Sequence, residues 1–205
     1  MALPSALDEI IGIWRALPRK AGALLPCRRA LNPRDLARAL PRVALMQRRE
    51  RYDIQVGMVE TPFDAHWSEG MAGFNAFDIA DSDMRENIAR FCDAILSQPA
   101  GAWVEEKVEA MGGGEATVST LYLPLSDRQD RATYIMGCSV SDRPAAHRSL
   151  REKLVPTPSA IAAVRFFDIG RGKPSVAFEP MTRLARSASL KERFLDPAAP
   201  TGASV

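Results

Sequence analysis

Only two histidines occur in 205 residues, too few for a multi-histidine metal centre. The three cysteines, Cys27, Cys92 and Cys138, are odd in number, far apart and show no C-x-x-C spacing. That excludes a disulfide framework or a zinc ribbon and suits reduced thiols in a cytoplasmic protein. No apolar run approaches the roughly 20 residues that cross a bilayer. Asp8 and Glu9 interrupt the apolar stretch from Met1 to Leu17, so a secretory leader is not expected. A serine nucleophile elbow is missing. Gly112-Gly113-Gly114 lacks the Lys-Ser/Thr pair of a phosphate loop and reads as a turn. No phosphoacceptor-histidine motif or nucleotide box follows, so an enzyme, a kinase included, is not expected.

What is there is the composition of a folded chain: 46% hydrophobic and 25% charged, enough for one domain with appendages. The charge is unevenly placed. Residues 1–51 carry 11 basic and 4 acidic groups, 52–126 carry 3 and 13, and 127–205 carry 13 and 8. Basic flanks around an acidic centre suit pairing within the chain or contact with an acidic partner. The basic residues have no interleaved aromatics, so a nucleic-acid partner is not expected, and pairing within the chain is favoured.

Periodicity supplies the elements. Leu7, Ile10, Ile11, Trp14 and Leu17 recur at helical spacing, with Ser5 and Asp8 as a capping box, and the helix should end near Pro18. A basic connector, Lys20 to Asn32, leads to a short helix from Pro33 to Leu40. Strands are expected at Val43–Met46 and Tyr52–Met58, where apolar and polar residues alternate. Residues Pro62 to Asp81 read as turns, and Met84, Ile88, Phe91, Cys92, Ile95 and Leu96 form the stripe of a longer helix. Three further strands are expected at Trp103–Ala110, Thr117–Leu125 and Ala132–Ser139, with Glu105 and Glu109 turned to solvent. Pro124 implies an edge, bulge or strand end. Beyond Pro144, Ala160–Ile169 suggests an added strand pairing with Pro174–Phe178, and Met181–Phe194 a basic helix.

The order predicts an α+β fold: a five-stranded antiparallel sheet with helices on one face, plus an N-terminal amphipathic helix and a C-terminal extension. The expected division is 1–41 for the N-terminal helix and connector, 42–142 for the central domain, and 143–205 for a partly ordered extension.

Trp14-Arg15-Ala16-Leu17, Pro26-Cys27-Arg28, Asn32-Pro33, Asp35-Leu36 and Leu40-Pro41 follow one another in a familiar order. Tyr52 through Gly57, Leu123-Pro124-Leu125 and Met136-Gly137-Cys138 continue it. Over roughly residues 7 to 142 the chain resembles the small single-PAS-domain proteins of alphaproteobacteria. Thr61-Pro62-Phe63-Asp64 departs from the glycine and small polar loop usual after the second strand. The resemblance implies a PAS fold and a sensory or relay role, often in two-component or cyclic-nucleotide circuits, with a histidine kinase or other two-component protein as partner.

Met58, Met71, Phe74, Phe77, Phe91, Tyr134 and Met136 are the candidates to line a small-molecule pocket under the helical segment. The same stripe equally describes a packed core. Leu7, Ile10, Ile11 and Trp14 are the candidates for a homodimer or partner surface, unless that face covers the chain's own sheet. Alternative readings are a haem sensor, with His66 as ligand, a flavin sensor, or a nucleic-acid-binding regulator of PAS architecture. Arg90-Phe91-Cys92-Asp93 lacks the flavin-adduct signature, and a buried structural thiol is the simpler reading of Cys92. No cofactor and no metal are expected.

Overall fold

The computed structural model describes residues 3–36, 43–57, 75–78, 85–109, 114–142, 159–176, 178 and 181–183. The first helix, α1 (Ser5–Ala16), starts one residue earlier than a Ser5 cap requires. Pro4 occupies the cap position, and its carbonyl accepts the N–H groups of Leu7 at 2.8 Å and Asp8 at 3.2 Å. The expected capping box is therefore not formed, because Ser5 already lies inside the helix. At the other end Leu17 turns extended (ψ 137°), as the residue before a proline must.

Arg19 closes that end. Its guanidinium donates to the carbonyls of Arg15, Leu17 and Trp14 at 2.7, 2.8 and 3.2 Å, and to Leu24 at 3.1 Å. These are terminal carbonyls that a helix leaves without partners of its own. A 3-10 turn, Arg28–Ala30, and the short α2 (Pro33–Leu36) follow.

Seven strands form one antiparallel sheet in the order β2-β1-β5-β4-β3-β6-β7. They are β1 (Val43–Glu50), β2 (Asp53–Gly57), β3 (Gly101–Glu109), β4 (Glu115–Ser126), β5 (Ala132–Ser141), β6 (Ser159–Phe167) and β7 (Met181–Arg183). The first five are the expected sheet. The other two extend it past the β3 edge, where a five-stranded sheet would have ended. The partner of β6 is Met181–Arg183, not Pro174–Phe178. Met181 thus opens a strand rather than a helix, and the rest of that expected helix lies outside the described residues. α1 and β6 are built into the same unit as β1–β5.

Pro124 sits within a central strand without breaking it. The register between β3 and β4 stops at Ala102 opposite Tyr122, so Pro124 lies past the end of β3. Its missing N–H costs no ladder bond on that side, and a register shift follows at Leu125/Ser126.

Helices pack on both faces of the sheet. α1 covers the face holding Val43, Leu45, Leu121, Leu123, Leu125, Met136 and Cys138, all buried with Leu7, Ile10, Trp14 and Leu17. α3 (Arg85–Ser97) covers the opposite face, where Ile54, Phe77, Ala102 and Ile135 pack against Ala89, Cys92, Ile95 and Leu96. Leu7, Ile10 and Trp14 are 0%, 0% and 3% exposed. They are therefore corrected from a partner surface to the chain's own core, with Ile11 packed partly buried beside them. The physical reason is that the leucine row of β4 needs a cover, and α1 supplies it at about 1.5–3 kcal/mol per large side chain.

Glu105 is also corrected. It shares its face with Trp103, but that face is covered, leaving Glu105 4% exposed. Arg165 of β6 meets its carboxylate at 2.8 Å and lies 4.9 Å from the Trp103 ring centroid. The added strand thus brings the cation that a buried carboxylate requires.

Candidate functional site

The α3 face is the first place to look for a pocket. Asn75 joins the chain to the free edge of β2. Its Oδ1 accepts the N–H groups of Ile54 and Phe77, each at 3.1 Å, and its Nδ2 donates to the Tyr52 carbonyl at 3.0 Å. Phe77 is thereby driven into the core, 1% exposed, edge-on to Tyr52 at 5.6 Å. Arg85 fixes it further by donating to its carbonyl at 2.9 and 3.2 Å.

Phe91 of α3 stands among aromatics. Its centroid is 5.1 Å from Tyr122, edge-on, and 5.9 Å from both Phe166 and Phe178. Rings at these spacings fill the face with packed edges and leave it apolar. Cys92 is buried beside them, and burial pushes its thiol up to about 12. A thiol so hard to ionise is a poor nucleophile, so Cys92 packs and does not react.

An ion network holds α3 to the β1–β2 hairpin. Asp93 receives Arg48 at 2.5 Å and Arg51 at 3.2 Å, and Glu86 receives Arg51 at 2.6 Å and the Tyr52 hydroxyl at 2.8 Å. The Tyr52 bond, followed by Arg51, holds the Glu86 carboxyl below its ordinary range. Part of the acidic centre is thus paired with the basic N-terminal block, as is Asp130 with Lys20 at 2.9 Å.

The other face carries an open cavity of about 600 Å3, beyond the reach of α1. Gln55, Gln47 and Tyr134 lie in one cross-strand row on β2, β1 and β5, with Leu45 beside them, and line it. One wall is the turn Cys27-Arg28-Arg29, the other the β4–β5 turn from Asp127 to Arg131, and Arg49 stands at the β1 end. The two walls are tied together. Ser126 N–H donates to the Pro26 carbonyl at 3.0 Å, and the Cys27 thiol to the Asp127 carbonyl at 3.5 Å.

Asp127 shapes the second wall. Its Oδ1 accepts the N–H groups of Gln129 and Arg131 at 2.8 and 3.0 Å, and its Oδ2 the Arg131 guanidinium at 2.8 Å. Burial pulls its carboxyl upward, but these N–H donors outweigh it and hold the group below its ordinary value.

The four described pocket candidates do not share one site. Phe77 and Phe91 lie on the α3 face. Met136 and Tyr134 point to the α1 face, because Met136 stands opposite Leu45 and Tyr134 opposite Gln47. Met136 is core at 1% exposed, whereas Tyr134 lines the basic cavity. Met58, Met71 and Phe74 lie outside the described residues, as does His66.

Of the arginines of this cavity, Arg28 and Arg29 belong to the basic connector, whereas Arg49, Arg128 and Arg131 lie in polar stretches elsewhere in the sequence. Nothing local tied them to Gln47, Gln55 or the turn a hundred residues on. Among the described residues no group of three or more His, Cys, Asp or Glu side chains is placed to hold a metal, and no helix is long and apolar enough to cross a membrane.

Two comparisons bear on this arrangement. A family model described as PAS domain matches residues 2–140, running from α1 to the end of β5. No curated protein matches the chain.

Proposed function

Because the chain belongs to the PAS domain family, we propose that it is a non-catalytic sensory or regulatory module working by protein–protein contact in signal transduction. The reading extends to the small single-domain type found in alphaproteobacteria, to a cytoplasmic location and to a homodimeric state. Its partner is a histidine kinase or another two-component protein, and a small molecule modulates the contact.

One observation carries the reading. Residues 2–140 place five strands in the order 2-1-5-4-3 with a helix across each face. Among the described residues of that layout, three chemistry-bearing groups are paired or buried. Glu105 faces Arg165, Asp93 faces Arg48 and Arg51, and the Cys92 thiol is inert. A scaffold that pairs its charges and packs its aromatics offers surfaces rather than a reacting centre.

The test is reconstituted autophosphorylation of the histidine kinases of the source organism, with and without the purified chain. At least one kinase should change its rate at stoichiometric addition, and sedimentation should give twice the chain mass. Unchanged rates across the whole set would overturn the partner assignment.

A further inference from the structure

We propose that the open cavity between the Cys27-Arg28-Arg29 turn, the β1–β2 floor and the β4–β5 turn binds an organic phosphate of nucleotide size carrying at least two negative charges. The inference does not rest on the signalling role and holds whatever the partner.

Charge is the first argument. Arg28, Arg29, Arg49, Arg128 and Arg131 line the cavity, against the single carboxylate of Asp127. That carboxylate is occupied, one oxygen by two backbone N–H groups and the other by the Arg131 guanidinium. Among the described residues, no carboxylate pairs with Arg49 or Arg128 across the cavity. Like charges gathered around a concave surface repel one another and focus a positive potential on its interior. An anion placed there relieves that repulsion.

The kind of cation is the second argument. All five are arginines and none is lysine. A guanidinium is a planar fork that meets two phosphate oxygens at once, which a point-like ammonium does not. The floor adds neutral groups suited to the rest of a ligand: the amides of Gln47 and Gln55, and the hydroxyl and ring of Tyr134.

Shape and rigidity are the third. About 600 Å3 lies in the middle of the range that small-molecule sites occupy. A concave basin walled on two sides fits a small molecule better than a polymer lying along a stripe. Both walls are fixed before any ligand arrives. Pro26 and Cys27 are bonded to Ser126 and Asp127, and Asp130 holds its turn at φ 62°. A preformed site binds without the cost of ordering its loops.

Cys27 provides the readout. It lines the cavity and is partly exposed, whereas Cys92 and Cys138 are buried. Iodoacetamide added to the native full chain should therefore modify one thiol, scored by intact mass. ADP, as the probe, should slow that reaction at least fivefold at submillimolar concentration and raise the melting temperature. Adenosine at the same concentration should do neither. The double variant Arg49→Gln/Arg128→Gln should lose ADP protection at least tenfold in concentration, while the exposed Arg171→Gln, outside the cavity, should keep it.

Both Arg49 and Arg128 are exposed, so the double variant should fold, and its circular dichroism checks that. Should it not fold, titration calorimetry of ADP and pyrophosphate into the parent chain decides alone. No heat and no protection from either probe up to millimolar would overturn the inference. So would equal protection by sodium sulfate at matched ionic strength, or binding to vesicles of anionic lipid without any response to ADP. Failure of the kinase assay with intact ADP binding would leave this site standing and remove only the signalling assignment.

Discussion

The indole Nε1 of Trp14 donates to the carbonyl of Pro124 at 3.0 Å, across 110 positions of sequence. The bond serves both partners, since a buried indole needs an acceptor and Pro124 presents a carbonyl past the end of β3. Arg19 lies 4.8 Å above the same ring, so the end of α1 is held from two sides. Trp14→Phe keeps most of the ring and leaves that carbonyl without its donor, which should cost about 1–3 kcal/mol. Trp14→Ala should cost about 3–5 kcal/mol through the cavity it opens. Urea midpoints at constant slope measure both. A phenylalanine variant as stable as the parent would show that the bond contributes nothing.

Gly101 faces Phe167 across the β3–β6 pair, and a Cβ on Gly101 would overlap the Phe167 ring. The obstacle is a side chain, so Gly101→Ala should force the ring aside rather than prevent folding. A loss of about 1–3 kcal/mol is expected from such overpacking. Pairing it with Phe167→Leu should return part of that loss in a double-mutant cycle. Strict additivity of the two would mean that the ring does not restrict position 101.

The Glu105–Arg165 pair is lopsided: the carboxylate side chain is 6% exposed and the guanidinium 48%. Removing the cation strands the charge that water cannot reach. Arg165→Ala should therefore lose about 1–3 kcal/mol, less than a fully buried pair because half of the guanidinium is already solvated. Glu105→Leu combined with Arg165→Ala should be more stable than Arg165→Ala alone. The reverse order would show that water already solvates the carboxylate.

Asp127 sets the response to acid. Its carboxyl is held below its ordinary value in the fold, while in the unfolded chain it titrates near 3.9. A depressed native value means that folding favours the ionised form, so the contribution is complete above about pH 4. It is lost as pH falls through the native value. The stability difference between parent and Asp127→Asn should thus be constant from pH 5 to 7 and shrink below about pH 4. Chemical denaturation at a series of pH values gives it directly, and an equal difference at every pH would rule out the carboxylate as its source.

The periodicities of this chain carry its local structure. Alternation at Tyr52–Gly57 and Thr117–Leu125, helical spacing at Leu7–Leu17 and Met84–Leu96, and the breaks at Pro18 and Pro99 place the helices and the strands of the central sheet. These are properties of neighbours along the chain, where sterics and solvent exposure act residue by residue. Pro124 suggested an edge, bulge or strand end, and it lies in a central strand just past the end of β3.

Tertiary structure decided which partner each face met. The stripe on α1 was equally fit for a second copy or for the leucines of β4, and only packing chose the latter. Glu105 alternates like a solvent residue, yet it is buried and β6 supplies Arg165 to it from 60 positions away. Tyr134 and Phe91 were both candidate pocket residues but ended on opposite faces: its register with Gln47 turns Tyr134 to the α1 face, whereas Phe91 is carried by α3 across the other. The basic cavity arose in the same way: its arginines stand at 28, 29, 49, 128 and 131, gathered by strand pairing that no local pattern encodes.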